Sequence, residues 1–145
     1  MTGELVIRPA ATGDLDAVSR LAGALVRMHH AVDAHRFLLV DNVEEGYRWW
    51  FSRELERREA VILVAKLRSA TVGYGYGSME GRDWNLLLDT HGAVHDVFVA
   101  EEARGAGVGK ALVMALVAAL EGLGATVCGV AIYCWTLPVD LAPLQ

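Results

Sequence analysis

The chain has 145 residues, enough for one domain whose core needs no disulfides. Hydrophobic residues make up 54% of it, yet no run approaches the ~20 apolar residues of a membrane span, and acidic Glu4 argues against a signal peptide. A net charge of −5 argues against nucleic acid and suits a cationic substrate such as an amine; the expected setting is the cytoplasm, with no membrane partner.

The first candidate strand is Leu5 to Ala10, LVIRPA. A helix is expected from Asp14 to Val32, with Thr12 or Asp14 as N-cap and Val18, Leu21, Ala22, Leu25 and Met28 as its buried stripe. A second helix, Val43 to Glu59, places Val43, Tyr47, Trp50, Phe51 and Leu55 on one side. Glu44–Arg48 and Glu54–Arg58 then fall at i, i+4 on its solvent face, and the charge run from Arg53 to Glu59 is a solvated surface. Residues 61–66 and 72–78 read as strands joined by a hairpin over Leu67 to Thr71, and Ala93 to Ala100 as a strand rich in β-branched and aromatic residues. A third helix, Val108 to about Gly122, is apolar nearly all round, so it should be largely buried against the sheet and against a second chain. Gly122 and Gly124 stop it, and a fifth strand follows from Ala125 to Tyr133. Cys128 and Cys134 lack the spacing of a metal or redox pair and read as buried thiols. His29 and Asp33 share the i, i+4 spacing of metal ligands, but a polar helix end produces that by chance, and no metal is expected.

Between the fourth strand and third helix lies Arg104-Gly105-Ala106-Gly107-Val108-Gly109-Lys110. A strand that turns through glycines into a helix leaves the first helical N–H groups unpaired and aimed outward, a site for an anion such as phosphate. It is not a P-loop, because Arg104 stands where that loop needs glycine and Ala111 where it needs a hydroxyl. It is not a dinucleotide fingerprint either, since the third glycine would fall on Lys110. The pattern that fits is R-x-x-G-x-G, filled by Arg104, Gly107 and Gly109. That pattern, in this order of elements, resembles the acyl-CoA-binding motif of the GCN5-related N-acetyltransferases, the GNAT superfamily. The likeness covers residues 4–127.

The resemblance implies an α/β fold, the acyl-CoA N-acyltransferase fold, with a mixed, mostly antiparallel sheet flanked by helices. It implies one domain over 1–145, with 128–145 as a divergent tail. Family members continue through a further helix and two last strands. Here Asp140 is the single charged residue after Glu121, and the segment takes both cysteines and two of three prolines. The expectation is that the C-terminal helix and last strands are missing or altered, as a frameshift or truncation would produce, or that the tail packs into a partner; a homodimer would cover the exposed sheet.

For the chemistry, the resemblance implies direct transfer of acetyl from acetyl-CoA to a primary amine of a small molecule or peptide. Backbone N–H groups of Gly105, Ala106, Gly107, Val108, Gly109 and Lys110 would hold the pyrophosphate. Arg104 would shape the loop, and glycine at 107 and 109 would let the backbone approach the phosphates. The free backbone of Phe98 and Val99 would pair with the pantetheine arm. The candidate bases are Asp96 and His95, then Glu101 and Glu102. Strict alternation puts His95 on one face and Asp96 on the other, so only one can face the acceptor, and Asp96 also attracts an ammonium. The loop before the second helix would border the acceptor site, where His30, Asp33, His35 and Arg36 could touch substrate; Trp84 lines the same cleft or packs in the core. No residue fills the general-acid role. A non-catalytic acyl-CoA-binding module is the alternative reading.

Overall fold

The computed structural model describes residues 3–130. Their elements run β1 (Leu5–Pro9), α1 (Leu15–Val32), α2 (Val43–Glu54), β2 (Ala60–Leu67), β3 (Ala70–Glu80), β4 (His91–Val99), α3 (Val108–Gly122) and β5 (Cys128–Val130). The strands form one sheet in sequence order, antiparallel from β1 through β4, with β5 parallel to β4. A parallel pair needs a crossover, and α3 supplies it. The expected α/β architecture, with a mixed and mostly antiparallel sheet flanked by helices, is what forms.

The sheet separates two apolar layers. On one face α1 and α2 pack Leu15, Val18, Ala22, Leu25 and Phe51 against Ile62, Val64, Tyr74, Tyr76 and Phe98. On the other, Val108, Leu112, Leu116 and Leu120 of α3 meet Leu63, Ala65, Val72 and Val94. β3 serves both layers by alternating Gly73-Tyr74-Gly75-Tyr76-Gly77. Glycine ordinarily weakens a strand; here it admits the helix. A methyl group at Gly75 would sit 2.7 Å from Leu116 Cδ1, and one at Gly73 would sit 3.2 Å from Leu112 Cδ1. At Gly77 it would meet the Ala93 carbonyl oxygen at 2.8 Å.

Four expectations change. α3 is buried along one stripe only, and Met114 on its far side is 62% exposed. The apolar far face consists largely of alanine and valine, small enough to remain half-exposed. α2 ends at Glu54, five residues early, and Glu54 is turned inward. It is 2% exposed, accepts a hydrogen bond from the Tyr76 hydroxyl and is held by Arg57 at 2.9 Å. Of the solvent pairs expected along α2, Glu44–Arg48 gives way to pairs with α1, Arg27 with Glu44 and Arg48 with Asp16, while Glu54 pairs with Arg57 in place of Arg58. Asp14 precedes α1 but does not cap its N–H groups. Its carboxylate accepts from the Ala11 N–H at 2.8 Å and from the Arg8 guanidinium at 2.7 and 2.9 Å. The Arg8 bond holds it below the usual carboxylate range, against the opposing effect of burial.

Cys128 is half-buried rather than enclosed. Cys134, residues 131–133 of the expected fifth strand and the remainder of the tail lie outside the described residues. Among the described residues, no helix is long and apolar enough to cross a membrane.

The glycine row sets a stability test. Gly77→Ala forces a methyl group against a backbone oxygen, so urea unfolding should show a loss of about 1–3 kcal/mol. Gly46→Ala, on α2 with open space at its Cβ, should instead gain up to about 1 kcal/mol from helix propensity.

Candidate functional site

β4 carries one residue more than its partner. Tyr76 pairs with Asp96, and the next residue, Gly77, pairs with Val94, leaving His95 as the extra residue of a β-bulge. Strict alternation therefore fails at this point. Val94, Val97 and Val99 face the α3 layer, while Phe98 faces α1 and α2. Asp96 also faces α1 and α2, accepting a hydrogen bond from the Tyr74 hydroxyl at 3.1 Å. His95 lies on that same face, its ring 5.2 Å from Tyr76 and its Nε2 2.7 Å from Ser78 Oγ and 3.1 Å from Glu80. The expectation that these two side chains occupy opposite faces is corrected, and the inserted residue is the reason.

The neighbours part again in what they reach. His95 is held by Ser78 and Glu80. Asp96 lines a cleft of about 480 Å³ between α1, the segment from Arg36 to Val40, and α2. Burial pushes the Asp96 carboxyl above the usual carboxylate range, with the Tyr74 bond and then the His95 and His29 charges acting in the other direction. Burial also raises the Tyr74 hydroxyl well above its ordinary value, with the Asp96 charge adding to it. The imidazole of His29, in the same cleft, is lowered by burial and raised by Asp96. It stacks on Phe37 at 4.8 Å.

A second cavity of about 510 Å³ adjoins the first across Leu25, which lines both. Its walls are Met28, residues 97–99 of β4, Ala103, and the loop through Gly109. Met28, expected in the core stripe of α1, is 41% exposed and emerges here. In the loop, Gly105 and Gly107 have φ of +83° and +79°, the left-handed region that other residues enter only with strain. Gly109 has no such need, and a methyl group there would make ordinary contact with Val99 at 3.7 Å. Arg104 donates from Nε to the Val99 carbonyl at 3.0 Å and lays its guanidinium over the Phe98 ring at 5.4 Å. It thereby ties the loop back to the end of β4. The first hydrogen bond closing α3 runs from the Ala111 N–H to Gly107, so the N–H groups of Val108, Gly109 and Lys110 precede any helical acceptor.

The backbone of β4 is divided between its two edges. The Ala100 N–H bonds Val72 on β3, and the carbonyl oxygens of Asp96 and Phe98 lie toward Gly75 and Gly73 of the same strand. By alternation, Val97 and Val99 present their backbone groups to the opposite edge. There β5 pairs only with residues Gly92 to Val94 among the described residues. Phe98, expected to offer free backbone beside Val99, contributes its buried ring to this site.

Other expected contacts fall away. Glu101 and Glu102 sit in an exposed turn and line neither cavity. Asp33 builds the turn after α1 by accepting from the His35 and Arg36 N–H groups at 3.0 and 3.1 Å. His30 Nδ1 lies 2.8 Å from the Phe37 carbonyl oxygen, leaving Arg36 of that group in the cleft wall. Trp84 is 75% exposed in the β3–β4 loop beneath Arg82, outside both cleft and core. Among the described residues no cluster of His, Cys, Asp or Glu could hold a metal ion. Sequence reasoning missed Tyr74, Tyr47 and His29 as site residues; the tyrosine alternation of β3 was the available signal for the first.

A sequence model described as the acetyltransferase (GNAT) family matches residues 26–135. The chain belongs to this family. No functionally curated protein matches the sequence. Among solved structures, an integron cassette protein from the mobile metagenome of Cole Harbour Salt Marsh is 23% identical with a TM-score of 0.69, covering 86% of this chain and 76% of that one. An aminoglycoside 6'-N-acetyltransferase from Acinetobacter haemolyticus is 15% identical, TM-score 0.70, with 96% and 83% covered. A predicted acetyltransferase from Clostridium acetobutylicum, solved with acetyl-CoA, is 12% identical, TM-score 0.65, with 88% and 80% covered. At these identities the likeness is one of GNAT fold.

The loop glycines differ in a measurable way. Gly107→Ala should cost about 1–2 kcal/mol in unfolding free energy because its φ is left-handed. Gly109→Ala, inside α3, should leave stability unchanged or slightly raised.

Proposed function

We propose that this chain, acting as one domain over 1–145, transfers the acetyl group of acetyl-CoA to a primary amine of a small molecule or peptide by direct attack in a ternary complex. The observation that carries the reading is the meeting of two cavities along β4. One is edged by the glycine loop at the start of α3, the other contains a half-buried carboxylate, and Leu25 forms the wall between them.

In this reading the N–H groups from Gly105 to Lys110 hold the pyrophosphate at the positive end of α3. Left-handed Gly105 and Gly107 give the loop its curvature, and Arg104 fixes it to Val99. The outward backbone groups of Val97 and the Val99 N–H receive the pantetheine arm as an added strand, and an N–H of that edge supports the thioester oxygen as charge develops on it. Asp96 takes a proton from the substrate ammonium. The amine lone pair attacks the thioester carbon, a C–N bond forms, and the C–S bond breaks. The second nitrogen proton ends on the departing thiolate, giving amide and thiol, and Asp96 returns its proton to solvent. Because His95 is held by Ser78 and Glu80, Asp96 is the base and His95 positions the bulge.

Calorimetric titration of acetyl-CoA should give micromolar binding that Gly107→Glu abolishes; no binding by the folded wild type would overturn the reading. Asp96→Asn should retain binding and lose about 10²–10⁴-fold in kcat. Binding with no turnover of any amine would favour the non-catalytic module.

The Asp96 carboxyl is raised, and a base works ionised, so kcat should rise as pH climbs through its pKa. Tyr74→Phe removes a bond that favours the ionised form, so the acid limb of the pH profile should move to higher pH. An unshifted or lower limb would exclude Asp96 as the titrating group.

A further inference from the structure

We infer that His95 is a positioning residue for Asp96: clamped by Ser78 and Glu80 on the same face of β4, its protonated imidazole favours the carboxylate form of its neighbour in the chain. The inference rests on the reading of Asp96 as the base. It assigns to the bulge the task of bringing two ionisable side chains to one face.

In an unbroken strand consecutive side chains point to opposite faces. The bulge cancels that separation, and His95 and Asp96 both face the layer of α1 and α2. They then diverge along β3. Asp96 meets the Tyr74 hydroxyl, whereas His95 meets Ser78 and Glu80 and lays its ring against Tyr76.

The proton count in the clamp fixes the imidazole. Ser78 is 1% exposed and donates its one hydroxyl proton to Glu80 Oε1 at 2.5 Å. The 2.7 Å contact between His95 Nε2 and Ser78 Oγ is therefore donated by the ring, and the same N–H faces Glu80 Oε1 at 3.1 Å. The Ser78 bond, with the His95 bond adding to it, holds the Glu80 carboxyl below the usual carboxylate range against the effect of burial. Nε2 thus keeps its proton, and the ring gains or loses its charge at Nδ1.

Other charged and titratable groups surround the pair. On β3 the Tyr76 hydroxyl donates to Glu54, which Arg57 holds, and the Arg57 charge also acts on Glu80. His29 of α1, Tyr47 of α2 and Arg36 share the cleft wall with Asp96. Burial raises the Asp96 carboxyl; after the Tyr74 bond, the His95 charge is the next influence toward ionisation, and His29 follows. His95 differs from His29 in being adjacent to Asp96 in the chain, so backbone and clamp together set its distance. An imidazolium held beside a half-buried carboxyl stabilises the carboxylate.

The test follows the Asp96 carboxyl carbon by NMR titration, its resonance assigned with Asp96→Asn. His95→Gln keeps an N–H donor for Ser78 and removes the charge. In that variant the Asp96 midpoint should rise by at least about 0.3 pH unit, and the acid limb of kcat/KM should rise with it. In the wild type the His95 ring resonance should show a second inflection at the Asp96 midpoint, lost in Asp96→Asn, because coupling between two sites is reciprocal. That second measurement decides the matter even where His95→Gln does not fold. A smaller or opposite shift overturns the inference, as does a wild-type His95 curve without the inflection. A purely structural His95 would lower the urea midpoint when replaced and leave both titrations unmoved. Coupled titrations in a protein that acetylates no amine would support the inference and sink the transfer reading. Turnover without coupling would do the reverse.

Discussion

The row of glycines on β3 sets the distance at which α3 can lie against the sheet, and much else follows from that distance. Leu112, Leu116 and Leu120 come down at Gly73, Gly75 and Gly77 in step, because four residues of helix and two of strand cover similar lengths. A larger residue at any of the three would lift the helix, and with it the turn that feeds it. The position of the N-terminal end of α3 beside β4 is thus a property of residues outside the glycine loop.

The opposite face of the same strand carries the polar counterpart. Tyr74 and Tyr76 occupy the layer beneath α1 and α2, and each buried hydroxyl needs an acceptor there. Tyr74 finds Asp96 and Tyr76 finds Glu54. The two carboxylates have very different surroundings. Glu54 has Arg57 beside it, whereas Asp96 has a neutral hydroxyl for its direct partner, with histidine charges adding smaller effects. Burial therefore governs Asp96, and the cleft holds a carboxylate that is reluctant to ionise without a cation close by.

The sequence exposed the fold through its periodicities and its loop. The two strands of the β2–β3 hairpin and the strand–glycine–helix order each report a local rule that tertiary structure did not overturn. What it concealed depends on long-range partners. Nothing local marks Glu54 as buried, since its i, i+4 relation to Arg58 fits a solvated helix equally well; only the Tyr76 hydroxyl across the sheet decides it. The placement of His95 was hidden for a different reason. A bulge exists only relative to a pairing register, and a single strand's sequence holds no register. Of the site, the loop was legible because its glycines answer to backbone geometry. The cleft that Asp96 lines was not, because among the described residues its walls come from α1, residues 36–40, α2 and β4, brought together by packing.

The single extra residue in β4 makes that strand two half-strands running out of phase. Toward His91 the residues keep one parity of inward and outward positions, and past His95 they keep the other. Because His95 is the residue without a counterpart on β3, a one-residue deletion there would close the bulge and leave Val94 and Val97 on the α3 side and Asp96 and Phe98 on the other. The strand would lose the side chain that Ser78 and Glu80 hold while keeping its two faces, so this is a point where its length can change without exchanging them.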